Sequence, residues 1–334
     1  MKELKIVFMG TAELSCASLA ALAGDRQFSV AAVVTQPDRP KGRELKLQPS
    51  PVKTLAQKLD RPVLQPAKAR DGQFIAELGR LNPDLIVVVA YGHILPQTIL
   101  DLPRYGCLNV HTSLLPKYRG AAPIQWAIAH GDAETGVTLM KMDAGLDTGP
   151  IVAQRRTPIR PADDSATLHD RLAQLGAELL GGTIPDYIAG KIQPRPQPAE
   201  GVSLAPKIKK EDGRIDWRQP AQTIVNRLRA FTPWPGAFTF LLMEGAAPSV
   251  PLSGTSQGSD EAPPSRMIKI WKAEPAEASG EAGTILSADK SGMVVGCGRG
   301  ALRILEMQRE GGRRMNAAEF LAGHPLKAGG KFER

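Results

Sequence analysis

Cysteine is scarce in this chain. Cys16, Cys107 and Cys297 are the only three in 334 residues, far apart and in no C-x-x-C spacing. That excludes a disulfide framework and offers no zinc ligand set, and a reducing cytoplasm is the compartment expected of such a protein. Long apolar runs are missing as well. None approaches the roughly 18 residues of a membrane span, and the start at Met1–Gly10 runs straight into a strand-like segment instead of a leader, so no membrane association is expected. The turn after that segment, Gly10-Thr11-Ala12, holds a single glycine, the next being Gly24. A dinucleotide fingerprint needs G-x-G-x-x-G for backbone to approach a pyrophosphate, which argues against a nicotinamide enzyme. Internal repeats and coiled-coil heptads are also absent, and a monomer is expected.

What is present fits a globular protein of two domains. Length alone makes two the prior, and 42% hydrophobic residues suffice for real cores. Lys and Arg number 42 against 34 Asp and Glu, a formal charge of +8. The surplus is placed unevenly. Arg39, Lys41, Arg43, Lys46 and Lys53 crowd a loop with only Asp38 and Glu44 to oppose them, and further basic stretches run from Lys207 to Arg229 and from Arg299 to Arg334. Scattered basic residues can serve solubility only; a basic loop together with a basic second half favours nucleic acid as a partner.

Strand and helix signals alternate through the first half. Leu4–Met9, Phe28–Thr35 and Asp84–Ala90 read as strands, the last (Asp-Leu-Ile-Val-Val-Val-Ala) apolar on both faces as a central parallel strand requires. Gly106–His111, Gly136–Met142 and Ile151–Arg156 follow, then a helix from about Ser165 to Ala189. This pattern predicts an α/β fold with a doubly wound, mostly parallel open sheet over residues 1–190. Lys191–Pro198 has alternate prolines, and 191–206 is expected to be an extended linker. Over 207–334 short alternating segments with glycine turns predict a small β-barrel of OB-like type, interrupted by the Pro/Ser/Gly-rich stretch Ala246–Arg266, expected as a mobile hairpin extension.

One stretch carries chemistry. Asn109-Val110-His111 ends the 106–111 strand, and residues two apart on a strand share a face, so amide and imidazole are expected to enter one pocket. About thirty residues later Asp143-Ala144-Gly145-Leu146-Asp147-Thr148-Gly149-Pro150 brings two carboxylates on a glycine-punctuated loop. Acyl transfer to an amine needs a donor to a developing oxyanion and groups that move protons. Asn109 and His111 fit the first need, and Asp147 is suited to orient His111 and relay a proton; the bland alternative for Asp147 is a carboxylate capping backbone amides, which Asp143 fits better. Loops after the strands, Tyr91-Gly92-His93-Ile94-Leu95 and Ser113-Leu114-Leu115-Pro116, either meet a flat heterocycle or pack their apolar residues under helices. His130, His169 and His324 lack clustered partners, and Cys107 has no basic neighbour to activate it.

These residues resemble the folate-dependent formyltransferase family over nearly the whole chain. Thr35–Arg43 resembles the basic loop of its tRNA-modifying members, Asn109–Gln125 the shared catalytic and folate segment, Asp147-Thr148-Gly149 the catalytic carboxylate loop, and Pro233-Trp234-Pro235-Gly236 the start of the C-terminal domain. Gly-Thr-Ala at 10–12 replaces the commoner Gly-Thr-Pro turn, and the 246–266 stretch is longer than expected. The resemblance implies a catalytic set of Asn109, His111 and Asp147. It places folate against Tyr91, Gly92, His93, Ile94, Leu95 and Ser113, Leu114, Leu115, Pro116, and tRNA against Arg39, Lys41, Arg43, Lys46, Lys207, Lys209 and Lys210. The implied reaction carries a formyl group from 10-formyltetrahydrofolate to the α-amino group of methionine on initiator tRNA, with no metal. Two alternatives stand beside it: the same chemistry on a small amine such as a nucleotide sugar or glycinamide ribonucleotide, which leaves the basic 39–46 cluster without a role, and a non-catalytic RNA-binding protein, which leaves Asn109, His111 and Asp147 idle.

Overall fold

Residues 3–41, 46–242 and 266–333 are described by the computed structural model. They separate into two units: one of residues up to Ile124 with Ala133–Pro161 and Thr167–Lys207, the other of Gln125–Asp132, Ala162–Ala166 and the chain from Ile208 on. Arg43, and all of the 246–266 stretch except Arg266, lie outside the described residues.

In chain order the elements up to residue 207 are β1 (Leu4–Gly10), α1 (Leu14–Gly24), β2 (Phe28–Val34), β3 (Arg39–Lys41), β4 (Lys46–Gln48), α2 (Pro51–Lys58), β5 (Val63–Leu64), α3 (Gly72–Leu81), β6 (Leu85–Val89), α4 (Gln97–Leu100), β7 (Cys107–His111), β8 (Arg119–Gly120), α5 (Pro123–His130), β9 (Glu134–Lys141), β10 (Ile151–Pro158), α6 (Ser165–Ile188) and β11 (Leu204–Ala205). Seven strands form the central sheet in the order β10-β9-β7-β6-β1-β2-β5. The pairs from β5 to β7 are parallel. β9 runs antiparallel to both β7 and β10, so one edge departs from the parallel pattern read in the sequence. β6 is buried at all five residues, the burial that its unbroken Leu-Ile-Val-Val-Val run demands. Helix starts follow capping chemistry: the Ser50 hydroxyl accepts from Lys53 N–H with Pro51 at the first helical position, and the Asp71 carboxylate accepts from Phe74 N–H. α3 closes at Asn82 in the left-handed region (φ 46°).

The second unit carries α7 (Ala221–Phe231), β12 (Ala237–Leu241), β13 (Arg266–Ala276), β14 (Ile285–Asp289), β15 (Gly292–Gly296), β16 (Ala301–Arg309), β17 (Arg314–Asn316) and α8 (Ala317–Gly323). Its strands pair antiparallel in the order β12-β13-β16-β15-β14, with β17 on β16. Near the C-terminus Phe332 bridges Leu241 at the end of β12, and Lys331 bridges Thr284 just before β14. Trp217 centres the core with no exposed surface. Its ring stacks on Phe332 at 5.5 Å and its indole N–H donates to Thr239 Oγ1 at 3.0 Å. Ile224 and Leu228 of α7, Ile270, Met293, Leu302 and Ile304 close around it. A buried indole whose one donor is satisfied keeps its apolar contribution without a desolvation penalty. No helix among the described residues is long and apolar enough to cross a membrane.

Candidate active site

The chain leaves β1 towards β2 and β5 on one side and returns to β6 on the other. Open α/β sheets bind ligands outside the carboxyl ends of strands at such a switch. Here a cleft of about 480 Å³ is walled by Ala90–Leu95 after β6, Asn109–Thr112 at the end of β7, and Met142–Asp147 after β9. All three sequence-predicted catalytic residues face it.

His111 is 6% exposed. Its Nε2 lies 2.9 Å from the carbonyl oxygen of Tyr118. A carbonyl only accepts, so Nε2 carries the hydrogen, and the lone pair of the neutral form of the ring is on Nδ1. Nδ1 is 3.6 Å from Asp147 Oδ2. That carboxylate oxygen accepts the Gly120 N–H at 2.8 Å, while Oδ1 lies 3.5 Å from Asn109 Nδ2. The long Asn109 contact leaves its amide N–H groups largely uncommitted. Asp147 holds its place with φ 52°, a left-handed conformation that acidic and amide side chains tolerate better than most. Asp143 takes the turn-capping part: its Oδ1 accepts from Gly145 N–H and Thr148 Oγ1.

The Tyr91–Leu95 loop lines the cleft throughout. The carbonyl of Tyr91 accepts from Thr11 Oγ1 at 3.0 Å and Gln36 Nε2 at 2.9 Å, so the single-glycine turn after β1 anchors this loop instead of holding a phosphate. Gly92 has φ 81°, and a Cβ there would fall 2.7 Å from Gln36 Nε2. Burial pushes the Tyr91 phenol up to about 12. Two buried polar atoms of this loop, Tyr91 Oη and His93 Nδ1, make no hydrogen bond within the structure. Ile94 is 87% and Leu146 61% exposed at the mouth. Orphaned polar atoms beside apolar rim residues fit a flat heterocycle with hydrogen-bonding edges.

Ser113, Leu114, Leu115 and Pro116 are not among the residues that wall this cleft. Ser113 is wholly buried and donates to the carbonyl of Lys117 at 2.6 Å. Leu115 packs with Met140 and Ile151, and its N–H donates to Thr138 Oγ1, which also accepts from Gln154 Nε2 and donates to the Ser113 carbonyl. Three long-range hydrogen bonds on one hydroxyl hold the segment against β9 and β10. Gly120, Ala121 and Pro123 of the 109–125 segment join the lining, and Leu14, Val88, Met140 and Met142, which no local pattern singles out, complete it. Arg39 is exposed and donates to Gln36 Oε1, and Lys207, Lys209 and Lys210 are exposed. Among the described residues no group of three or more His, Cys, Asp or Glu is arranged to hold a metal ion.

Residues 4–184 match the family model of the formyl transferases, and 207–325 that of the formyl transferase C-terminal domain. The chain is 50% identical over 331 residues to the methionyl-tRNA formyltransferase of Myxococcus xanthus, covering 98% of each, and 49% identical over 330 residues to that of Geobacter sulfurreducens, covering 98% of this chain and 96% of the other. Its fold is similar to the N-formyltransferase of Helicobacter canadensis crystallised with folinic acid and dTDP-3-aminofucose (TM-score 0.62, 19% identity, 90% of this chain and 98% of that one). It is also similar to HypX of Aquifex aeolicus in complex with tetrahydrofolic acid (TM-score 0.58, 20% identity, 98% and 49%). With a family model matched over more than half its length and full-length relatives at about half identity, the chain belongs to the formyl transferase family.

Proposed function

We propose that this chain transfers a formyl group from 10-formyltetrahydrofolate to the α-amino group of methionine esterified to initiator tRNA. The observation that carries the reading is the convergence of Asn109, His111 and Asp147 on one cleft in a chain aligned end to end with methionyl-tRNA formyltransferases. Formylated folate supplies the one-carbon unit. The Tyr91–Leu95 loop, with its two unpartnered polar atoms, is the part suited to hold the pterin.

The tautomer of His111 divides the work. Its Nε2–H is committed to Tyr118, so the neutral ring offers only the Nδ1 lone pair, which takes the proton leaving the attacking amine. The resulting imidazolium forms 3.6 Å from the Asp147 carboxylate, which stabilises it and keeps the ring aimed. As the tetrahedral adduct collapses, the bond from the formyl carbon to the folate nitrogen breaks and the imidazolium returns its proton to that departing nitrogen. Asn109, whose amide is only loosely held by Asp147, donates to the oxygen that gains negative charge. Positioning the amine against the formyl carbon in a cleft shielded by Leu146 and Ile94 supplies the entropic part of the acceleration.

The second unit, with its antiparallel strands and terminal bridges to Leu241 and Thr284, reads as a closed OB-like barrel. Its Lys209 and Lys210 offer cationic side chains to tRNA phosphates, and Arg39, Lys41, Arg43, Lys46 and Lys207 of the first unit are the further candidates by sequence. A cytoplasmic monomer suits this role. The test is direct: incubate the protein with 10-formyltetrahydrofolate and charged initiator tRNA and look for formylmethionine, then repeat with Asn109→Ala and His111→Ala. Each is expected to lose about 10²-fold or more in turnover, and near-native turnover in both would refute the assignment.

A further inference from the structure

Residues 195–205 lie against the catalytic loop as a strap. Arg195 exchanges both backbone hydrogen bonds with Ile151, at 2.7 and 2.8 Å. Leu204 and Ala205 pair with β8. Between them Gln197 makes four hydrogen bonds. Its amide nitrogen donates to the carbonyls of Asp147 (2.7 Å) and Gly149 (2.8 Å), and its oxygen accepts from Nε and Nη2 of Arg119 at 3.1 and 2.7 Å. Ser203 Oγ accepts the N–H of Tyr118, the residue whose carbonyl sets the His111 tautomer. The strap therefore touches the backbone behind both partners of the imidazole.

We propose that Gln197 is a positioning residue for the formyl transfer: by clamping the Asp147 and Gly149 carbonyls to Arg119 it fixes where the Asp147 carboxylate stands relative to His111. This rests on the functional reading above. The geometry favours a specific role over general packing. Asp147 sits in a left-handed conformation with no regular structure around it, and Gly149 leaves no freedom on the other side, since a Cβ there would fall 1.8 Å from the Lys141 carbonyl. A carboxamide is the one side-chain type that donates twice with one nitrogen and accepts twice with its oxygen. All four positions are used here.

The experiment is a double-mutant cycle on the full chain under single-turnover conditions, so that slow variants are still read. Gln197→Leu is expected to lower the formyl-transfer rate about 10- to 100-fold, with KM for folate and tRNA within about threefold. Gln197→Glu keeps the two Arg119 bonds but presents oxygen to two carbonyl oxygens, and is expected to be as slow as the leucine variant. In an Asp147→Asn background, where the charge being positioned is gone, Gln197→Leu should cost less than about threefold. Formyl transfer by the unaltered chain reports on the functional reading by itself. A Gln197→Glu rate near wild type, or a Gln197→Leu penalty that stays whole in the Asp147→Asn background, overturns the positioning role while leaving that reading intact.

Discussion

Asp147→Asn is the sharpest perturbation of this site because it removes a charge and almost nothing else. Asn tolerates the φ of 52° at this position, which Ala accepts less well, so the loop keeps its shape. Its side-chain oxygen still accepts the Gly120 N–H that Asp147 Oδ2 accepts at 2.8 Å. What is lost is the attraction between a carboxylate and an imidazolium 3.6 Å apart. Coulomb's law at an effective dielectric of about 20 puts that attraction at about 4–5 kcal/mol. Both side chains are largely but not wholly out of solvent, so some of this attraction is replaced by water, leaving about 3–4 kcal/mol, or ~10²- to 10³-fold in rate. The loss belongs to kcat, because the proposed mechanism makes this charge pair only as the amine gives up its proton; KM for both substrates is expected within about threefold. Steady-state formylation of charged initiator tRNA reads both constants. An Asp147→Asn enzyme with kcat within threefold of wild type would falsify the charged-imidazole step, and a rise in KM with kcat unchanged would move Asp147 from proton transfer to substrate binding.

Other consequences follow from the same geometry. If Lys209 and Lys210 each meet a phosphate, replacing both with Ala is expected to lower the slope of log affinity for tRNA against log salt by about 2, measured by filter binding over a KCl series; an unchanged slope removes them from the interface. Thr138→Val strips three hydrogen bonds from a fully buried hydroxyl and orphans the Leu115 N–H, so urea unfolding should show about 2–4 kcal/mol of destabilisation. Burial pushes the thiols of Cys16 and Cys297 up to about 11 and that of Cys107 to about 12. The thiolate is then a trace species at neutral pH, and iodoacetamide is expected to leave turnover intact over an hour; rapid inactivation would reopen Cys107 as a participant.

The parts of this protein that were legible in the sequence are those set by local pattern. β6 shows its place in an unbroken apolar run, and Asn109 and His111 show theirs in a spacing of two on a strand. Asp143 declared itself a turn carboxylate by its Gly and Thr neighbours. What stayed hidden depends on residues distant in the chain. Ser113–Pro116 is tied to β9 and β10 because Thr138 and Gln154 reach it there, and no local rule foretells a hydroxyl 25 residues away. The antiparallel edge at β9 was equally invisible, since Gly-Val-Thr-Leu-Met is as apolar as a parallel strand would be. The prolines of 191–198 did announce extended backbone. They gave no sign of what that backbone lies against.

That difference has a chemical consequence. His111 donates one hydrogen bond to a carbonyl seven residues away, which sets the tautomer; the other constraint is a carboxylate on a loop without regular structure. A sequence motif can specify which groups meet, because side-chain identity is local. It cannot specify which imidazole nitrogen bears the proton, because that is decided by the orientation of the Tyr118 carbonyl, whose own N–H is held by Ser203, 85 residues further on. The direction of proton transfer at the neutral ring, from amine to Nδ1, is therefore a property of the folded strap and loop together. A chain with the same Asn109, His111 and Asp147 but a different partner for Tyr118 is free to present the opposite tautomer, with a donor where a base is needed.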